Sequence, residues 1–110
     1  MKVLHLFNEY VWYDMIEQGE KPEEYRDIET WSKRICRYGK KQTCGIRCAF
    51  GNHTFCKKVA TDYTHVCIHR AYTKTTMLWS IDQITIGKGN PKWGAPKCKV
   101  FIIKLKERVK

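Results

Sequence analysis

Lys21, Glu24 and Arg26 place an ammonium, a carboxylate and a guanidinium close together in the stretch Gly19-Glu20-Lys21-Pro22-Glu23-Glu24-Tyr25-Arg26-Asp27. If Glu24 to Ile28 is a strand, the two-residue period puts Glu24, Arg26 and Ile28 on one face. A carboxylate and a guanidinium so placed either pair with each other, which on a solvated surface is worth little, or engage a ligand. As ligand groups, Lys21 and Arg26 supply donors for a phosphate or a base edge, while Glu24 accepts from an exocyclic amine or orients Arg26. The planar fork of Arg26 suits two parallel hydrogen bonds, so Arg26 is expected to matter more to a ligand than to the fold.

Other residues with chemistry are more scattered. Cys44, Cys48, His53 and Cys56 are zinc-ligand types, and Cys36 with the His65/His69 pair widens the choice without sharpening it. The spacing departs from a pair of short knuckles, and no metal or other cofactor is expected. Tyr72 and Trp93 offer flat faces for an unstacked base, Trp93 from a Gly/Pro-rich loop and Tyr72 from the face that also holds Arg70. Lys40 and Lys41 add charge for a phosphate backbone. No cysteine joins a histidine by spacing, and no Ser-His-Asp arrangement is present. A lysine beside Glu23 and Glu24 is expected to stay protonated, the wrong state for a base at neutral pH.

The elements that must position these residues follow from pattern. Lys2 to Phe7 is rich enough in Val, Leu and Phe for a strand. Asn8 is a good helix cap, and Val11, Trp12, Met15 and Ile16 form an apolar stripe on a helix that ends at Gly19. Pro22 forbids its resumption. After the motif strand, Thr30 caps a second helix from Trp31 to about Tyr38, with Trp31 and Ile35 on one face. Residues 40–62 form a basic, cysteine-containing, turn-rich excursion of the kind that serves binding. From Tyr63 to Tyr72 the alternation returns to strand, with Thr64, Val66, Ile68, Arg70 and Tyr72 on one face. A second strand follows at Thr76, with Asp82-Gln83 interrupting it before Ile84 and Ile86. Gly87 to Pro96 is loop, and Val100 to Leu105 is too apolar for a solvated edge, so it belongs inside the sheet. These parts imply one α+β domain over residues 1–110, a small β-barrel with about two short helices.

Charge narrows the partner. Residues 1–29 hold eight of the eleven acids against three bases, a net of −5, whereas residues 30–110 hold eighteen bases against three acids, a net of +15. A field so one-sided favours a polyanion, most simply nucleic acid, with an acidic protein as the other possibility. No apolar run approaches the length of a membrane span or of a signal peptide's core. The reading is a cytoplasmic monomer whose six cysteines are reduced.

The motif Gly19-x-Lys21-x-x-Glu24-x-Arg26 resembles the G-x-K-x-x-E-x-R signature of the ASCH domain, a relative of the PUA-like RNA-binding barrels. Met1-Lys2-Val3-Leu4-His5-Leu6 resembles that family's opening strand. Ile86-Gly87-Lys88-Gly89-Asn90-Pro91-Lys92-Trp93-Gly94-Ala95-Pro96 with Val100 to Leu105 resembles the closing loop and strand of small phage and bacterial members. The resemblance implies a PUA-like barrel that binds RNA or a nucleotide-containing ligand in a cleft lined by Lys21, Glu24 and Arg26. It also raises an alternative, since some ASCH proteins are amidohydrolases of N4-acylated cytidine, with the motif lysine as base. In those enzymes a threonine nucleophile stands at the acidic position. Here that position is Glu24, so the catalytic set would reduce to Lys21 and Glu24, and the enzyme reading is the weaker one. A small phage-type protein that binds and inhibits a host protein is a further possibility.

Overall fold

In the first strand, β1 (Val3–Asn8), Leu4, Leu6 and Asn8 turn inward and are buried, while His5 and Phe7 turn out. The computed structural model describes residues 1–35, 59 and 61–110. Lys40, Lys41, Cys36, Cys44, Cys48, His53 and Cys56 lie outside the described residues, as do most of the 40–62 excursion and the expected end of the second helix. The described elements are β1, α1 (Tyr10–Glu17), β2 (Glu23–Arg26), α2 (Ile28–Ile35), β3 (His65–Arg70), β4 (Thr76–Gly87), a 3-10 turn at Pro91–Trp93, and β5 (Val100–Arg108).

The five strands form one sheet in the order β1-β3-β4-β5-β2. β1 runs parallel to β3, and the other pairings are antiparallel. β5 lies between β4 and β2, as its unbroken apolar run requires: Val100, Phe101, Ile102 and Ile103 are all buried. The sheet curls into a half-barrel, and α1 with α2 completes a small α+β domain. Leu4, Leu6, Ile16, Ile35, Val66, Ile68, Phe101 and Ile103 belong to one continuous core. Among the described residues no helix is long and apolar enough to cross a membrane.

Several local expectations are corrected, each for an identifiable reason. Asn8 is not a helix cap: it is the last residue of β1, and Glu9 holds the cap position without a side-chain hydrogen bond. The buried face of α1 is set by Tyr13 and Ile16, and Val11 is exposed, because the helix rotates the larger ring onto the sheet. β2 stops at Arg26 because the Asp27 carboxylate accepts from the Thr30 amide at 2.8 Å and starts α2 at Ile28. Asp27, not Thr30, is therefore the capping side chain, and Ile28 leaves the strand face. β3 ends at Arg70, so Tyr72 sits in the following turn. Asp82-Gln83 does not break β4: the strand runs through with register shifts between Trp79 and Gln83, a bulge that keeps both halves paired to β5.

Candidate functional site

Helix α1 delivers Lys21 by the way it ends. Gly19 adopts φ +82°, the Gly19 amide donates to the Ile16 carbonyl (3.0 Å), and the Glu20 amide donates to the Met15 carbonyl (2.9 Å). This is a Schellman close, and the left-handed residue in it favours glycine. The Lys21 amide also reaches the Met15 carbonyl (3.1 Å), so the helix terminus fixes the Lys21 backbone. Pro22 turns the chain into β2, whose Glu24 pairs across to Ile103 of β5.

Lys21 and Glu24 are both buried, at 3% and 2% exposure. The Lys21 ammonium contacts Glu24 Oε1, and Arg26 Nη1 donates to Glu24 Oε2 at 2.8 Å, so one carboxylate lies between two cations. The indole of Trp12 and the ring of Tyr25 flank the Lys21 ammonium at 5.8 and 5.3 Å from their centroids. Burial pulls the Lys21 pKa down to about 7; the Arg26 charge acts in the same direction, and Glu23 opposes both. Charge adds to burial in the same direction. One carboxylate cannot balance two buried cations, and a guanidinium does not give up its proton near neutral pH, so the lysine is the group that yields. Burial likewise lowers Arg26, to about 10, still far above neutrality. The expectation that carboxylate neighbours keep Lys21 firmly charged is thus corrected: desolvation outweighs them.

Arg26 is heavily engaged by the protein. Besides Glu24, it donates from Nη1 to the Tyr25 carbonyl (2.6 Å) and from Nη2 to the Phe7 carbonyl (3.3 Å) and Asn8 Oδ1 (2.8 Å). Among the described strands β1 and β2 are the two edges of the sheet, and Arg26 bridges them where no backbone ladder joins them. Both terminal nitrogens therefore already have acceptors within the protein.

Around this cluster is a cavity of about 230 Å³. Its polar floor is Lys21, Glu24, Arg26 and Asn8, and its walls include Trp12, Tyr25, Phe7 and Trp93. Asn8 is buried, and while its Oδ1 accepts from Arg26, its Nδ2 has no partner among the described residues. Trp93 arrives on the loop between β4 and β5, docked by two glycines. A side chain at Gly89 would overlap the Tyr25 ring, and one at Gly94 (φ +91°) would press on the Trp12 indole. The Asn90 amide donates to the Tyr25 hydroxyl (3.0 Å), which itself donates to Glu23 Oε2 (2.6 Å). A second, adjoining cavity of about 160 Å³ shares Phe7, Asn8 and Glu9 with the first and is closed by Ala71 and Tyr72.

The structure therefore brings Lys21, Glu24, Arg26 and Trp93 together, as the motif and the loop composition suggest. Tyr72 lies on the neighbouring cavity, 92% exposed and stacked on Phe7 with ring centroids 5.5 Å apart. Arg70 lines neither cavity: it holds Asp14 of α1 through Nε at 3.0 Å and lies over the Tyr10 ring. His65 and His69 do not act as a pair, since His65 Nδ1 meets the Thr64 hydroxyl whereas His69 meets His5. Asn8 and Trp12 are the site residues that pattern reasoning assigned to other duties, a cap and a core stripe. No periodicity could have shown their place, because it depends on β1 and α1 meeting β2. Comparison with family models, curated proteins and solved structures finds no match to this chain.

Proposed function

We propose that this protein binds RNA or a nucleotide-containing ligand, with one base in the Lys21–Glu24–Asn8 cavity. The observation that carries this reading is a polar cavity of about 230 Å³ lined by Lys21, Glu24 and Arg26 together with the aromatic rings of Trp12, Tyr25 and Trp93. Donors, an acceptor and flat walls around one small space are what an unstacked base requires. The lining holds Arg26 and a partly protonated Lys21 against two acids, Glu9 and Glu24, so it suits a neutral heteroaromatic better than a phosphate. Its volume lies below the range of about 300–1,000 Å³ typical of drug-sized ligands, which fits a single base. Phosphates fall to the loop that carries Trp93, where Lys88, Lys92, Lys97 and Lys99 are exposed with no acid among them. Phe7 and Tyr72 offer the adjoining cavity as a stacking place for a neighbouring base. On this reading the motif and its flanks belong to an ASCH-type, PUA-like module, and the half-barrel is that module's barrel.

A second reading, hydrolysis of an N4-acylated cytidine, is favoured by one observation. Lys21 has its pKa lowered to about 7, in the range of a general base. Against it, no serine, threonine or cysteine is among the described residues lining the cavity. Water would have to be the nucleophile.

The test is binding of short single-stranded RNA by the full chain, across salt concentrations, with N4-acetylcytidine turnover followed in parallel. Binding should weaken steeply with salt, and alanine at Lys88 and Lys92 should flatten the slope by roughly one unit for each phosphate no longer neutralised. Binding indifferent to salt, or co-purification of an acidic protein with no RNA affinity, would reject the RNA reading. Turnover abolished by Lys21→Ala would replace it with the hydrolase.

A further inference from the structure

The outer face of the sheet carries a group that neither the motif nor the cavity uses. β1 and β3 are parallel neighbours in the register His5↔Cys67 and Phe7↔His69. Because Leu4, Leu6, Val66 and Ile68 take the buried face, period two sends His5, Cys67 and His69 to the other side. There His5 Nδ1 lies 3.0 Å from His69 Nε2, and one donor atom from each of the three residues falls within 4.8 Å of the others. Phe7 stacks on the His69 ring with centroids 4.3 Å apart and an interplanar angle of 16°, which fixes the ring's plane.

We propose that His5, Cys67 and His69 form a three-ligand site for a zinc-class divalent transition metal, with no fourth protein ligand among the described residues. Two imidazoles and a thiolate are the donors such an ion prefers, and the absence of a carboxylate from the trio argues against magnesium or calcium. Bond lengths of about 2.0–2.1 Å to nitrogen and about 2.3 Å to sulfur put tetrahedral donors roughly 3.4–3.7 Å apart. The donors here straddle that separation, so small side-chain rotations suffice and the strands stay where they are. Three protein ligands with one open position is the arrangement of sites that hold water or an outside ligand on the metal, in contrast to the closed four-ligand site of a folding clamp.

The experiment is titration of the reduced, metal-free full chain with Co²⁺, read by the thiolate-to-cobalt charge-transfer absorption and followed by back-titration with Zn²⁺. One cobalt per chain should give the band, and zinc should remove it. Cys67→Ser should abolish the band, and His5→Gln should weaken cobalt binding by at least the about 10–100-fold that loss of an outer-shell partner costs. A chain with serine at Cys44, Cys48 and Cys56 should keep the band. His5 is exposed, so His5→Gln serves if Cys67→Ser fails to fold. No band, a band surviving Cys67→Ser, a band lost from the triple-serine chain, or unchanged affinity in His5→Gln overturns the site.

Discussion

Arg26 and Arg70 both end a strand and both hold a carboxylate, yet they stand in opposite surroundings. The Arg26–Glu24 pair is almost wholly inside, with a second cation on the same carboxylate. The Arg70–Asp14 pair is bidentate in geometry, with contacts of 3.0 and 3.2 Å, but over a third of each side chain is in water. Geometry alone would rank them alike. Burial separates them: Arg26 is the hydrogen-bond donor to buried Asn8 Oδ1 and to the second oxygen of buried Glu24, which lose that donor inside the protein if it is removed, whereas water replaces the partner of an exposed pair.

The largest expected effect breaks the two arginines apart. Arg26→Ala should cost about 1–3 kcal/mol of stability, the penalty for buried acceptors left without a donor, while Arg70→Ala should melt close to the parent; urea midpoints of both measure this. Equal midpoints would mean that the inner cluster is more hydrated than its burial suggests. This ordering reverses the expectation that Arg26 serves a ligand before the fold, since its terminal nitrogens already serve β1 and β2.

Gly89→Ala tests whether the inner region depends on its docked loop. The added methyl meets the Tyr25 ring and the Ala95 methyl, and overpacking of this kind costs about 1–3 kcal/mol. A thermal melt unchanged by the substitution would show that the loop and Tyr25 give way freely.

The inner cluster should also respond to pH where the outer pair does not. The folded Lys21 has its pKa near 7 against an ordinary value of 10.5. Between those values the unfolded chain binds one more proton than the folded chain, so stability rises with pH. The cost of burying the charge is fully present below about 7 and is relieved as pH climbs, with a slope of at most about 1.4 kcal/mol per unit. The charged and titratable neighbours are Glu24, Arg26, Glu23 and Tyr25, with Glu9 at the cavity rim. Denaturant midpoints of the parent and of Lys21→Met from pH 6 to 9 should therefore diverge in the parent's favour. A constant difference would mean that Glu24 keeps the lysine charged.

The smallest effect concerns Tyr72. As a 92% exposed ring it contributes little to the fold, so Tyr72→Ala should cost about 1 kcal/mol of RNA binding, near the low end for a stacked base, with an unchanged melt.

Much of the frame is legible in the sequence, and the reasons are specific. β5 shows itself by an apolar run too continuous for an edge, and Gly19 by the left-handed residue that ends a helix. Lys21, Glu24 and Arg26 stand out by type and spacing. Asn8 and Trp12 do not, because Asn8 is placed by its contact with Arg26 on another strand and Trp12 by its packing against the loop at Gly94, which no periodicity reports. Tyr13 displaces Val11 on α1 because two adjacent stripes are nearly equivalent in hydrophobicity and packing chooses between them. The proton state of Lys21 escapes pattern reading for a similar reason. Neighbouring carboxylates are visible in a sequence, and desolvation is not.

The strand order has a consequence for how the molecule comes into being. Among the described strands, β1 pairs with β3 alone and β2 with β5 alone. Neither strand of the first thirty residues can close a ladder until residues 65–70 and 101–104 have been made. Contacts between such distant segments make for slow folding and a long exposure of unpaired edges during synthesis. The segment that waits is the acid-rich one, net −5, while residues 30–110, of which the capturing strands are part, carry a net of +15. Charge of one sign opposes association between copies of the waiting head, and charge of the opposite sign on the rest of the chain favours its own partner.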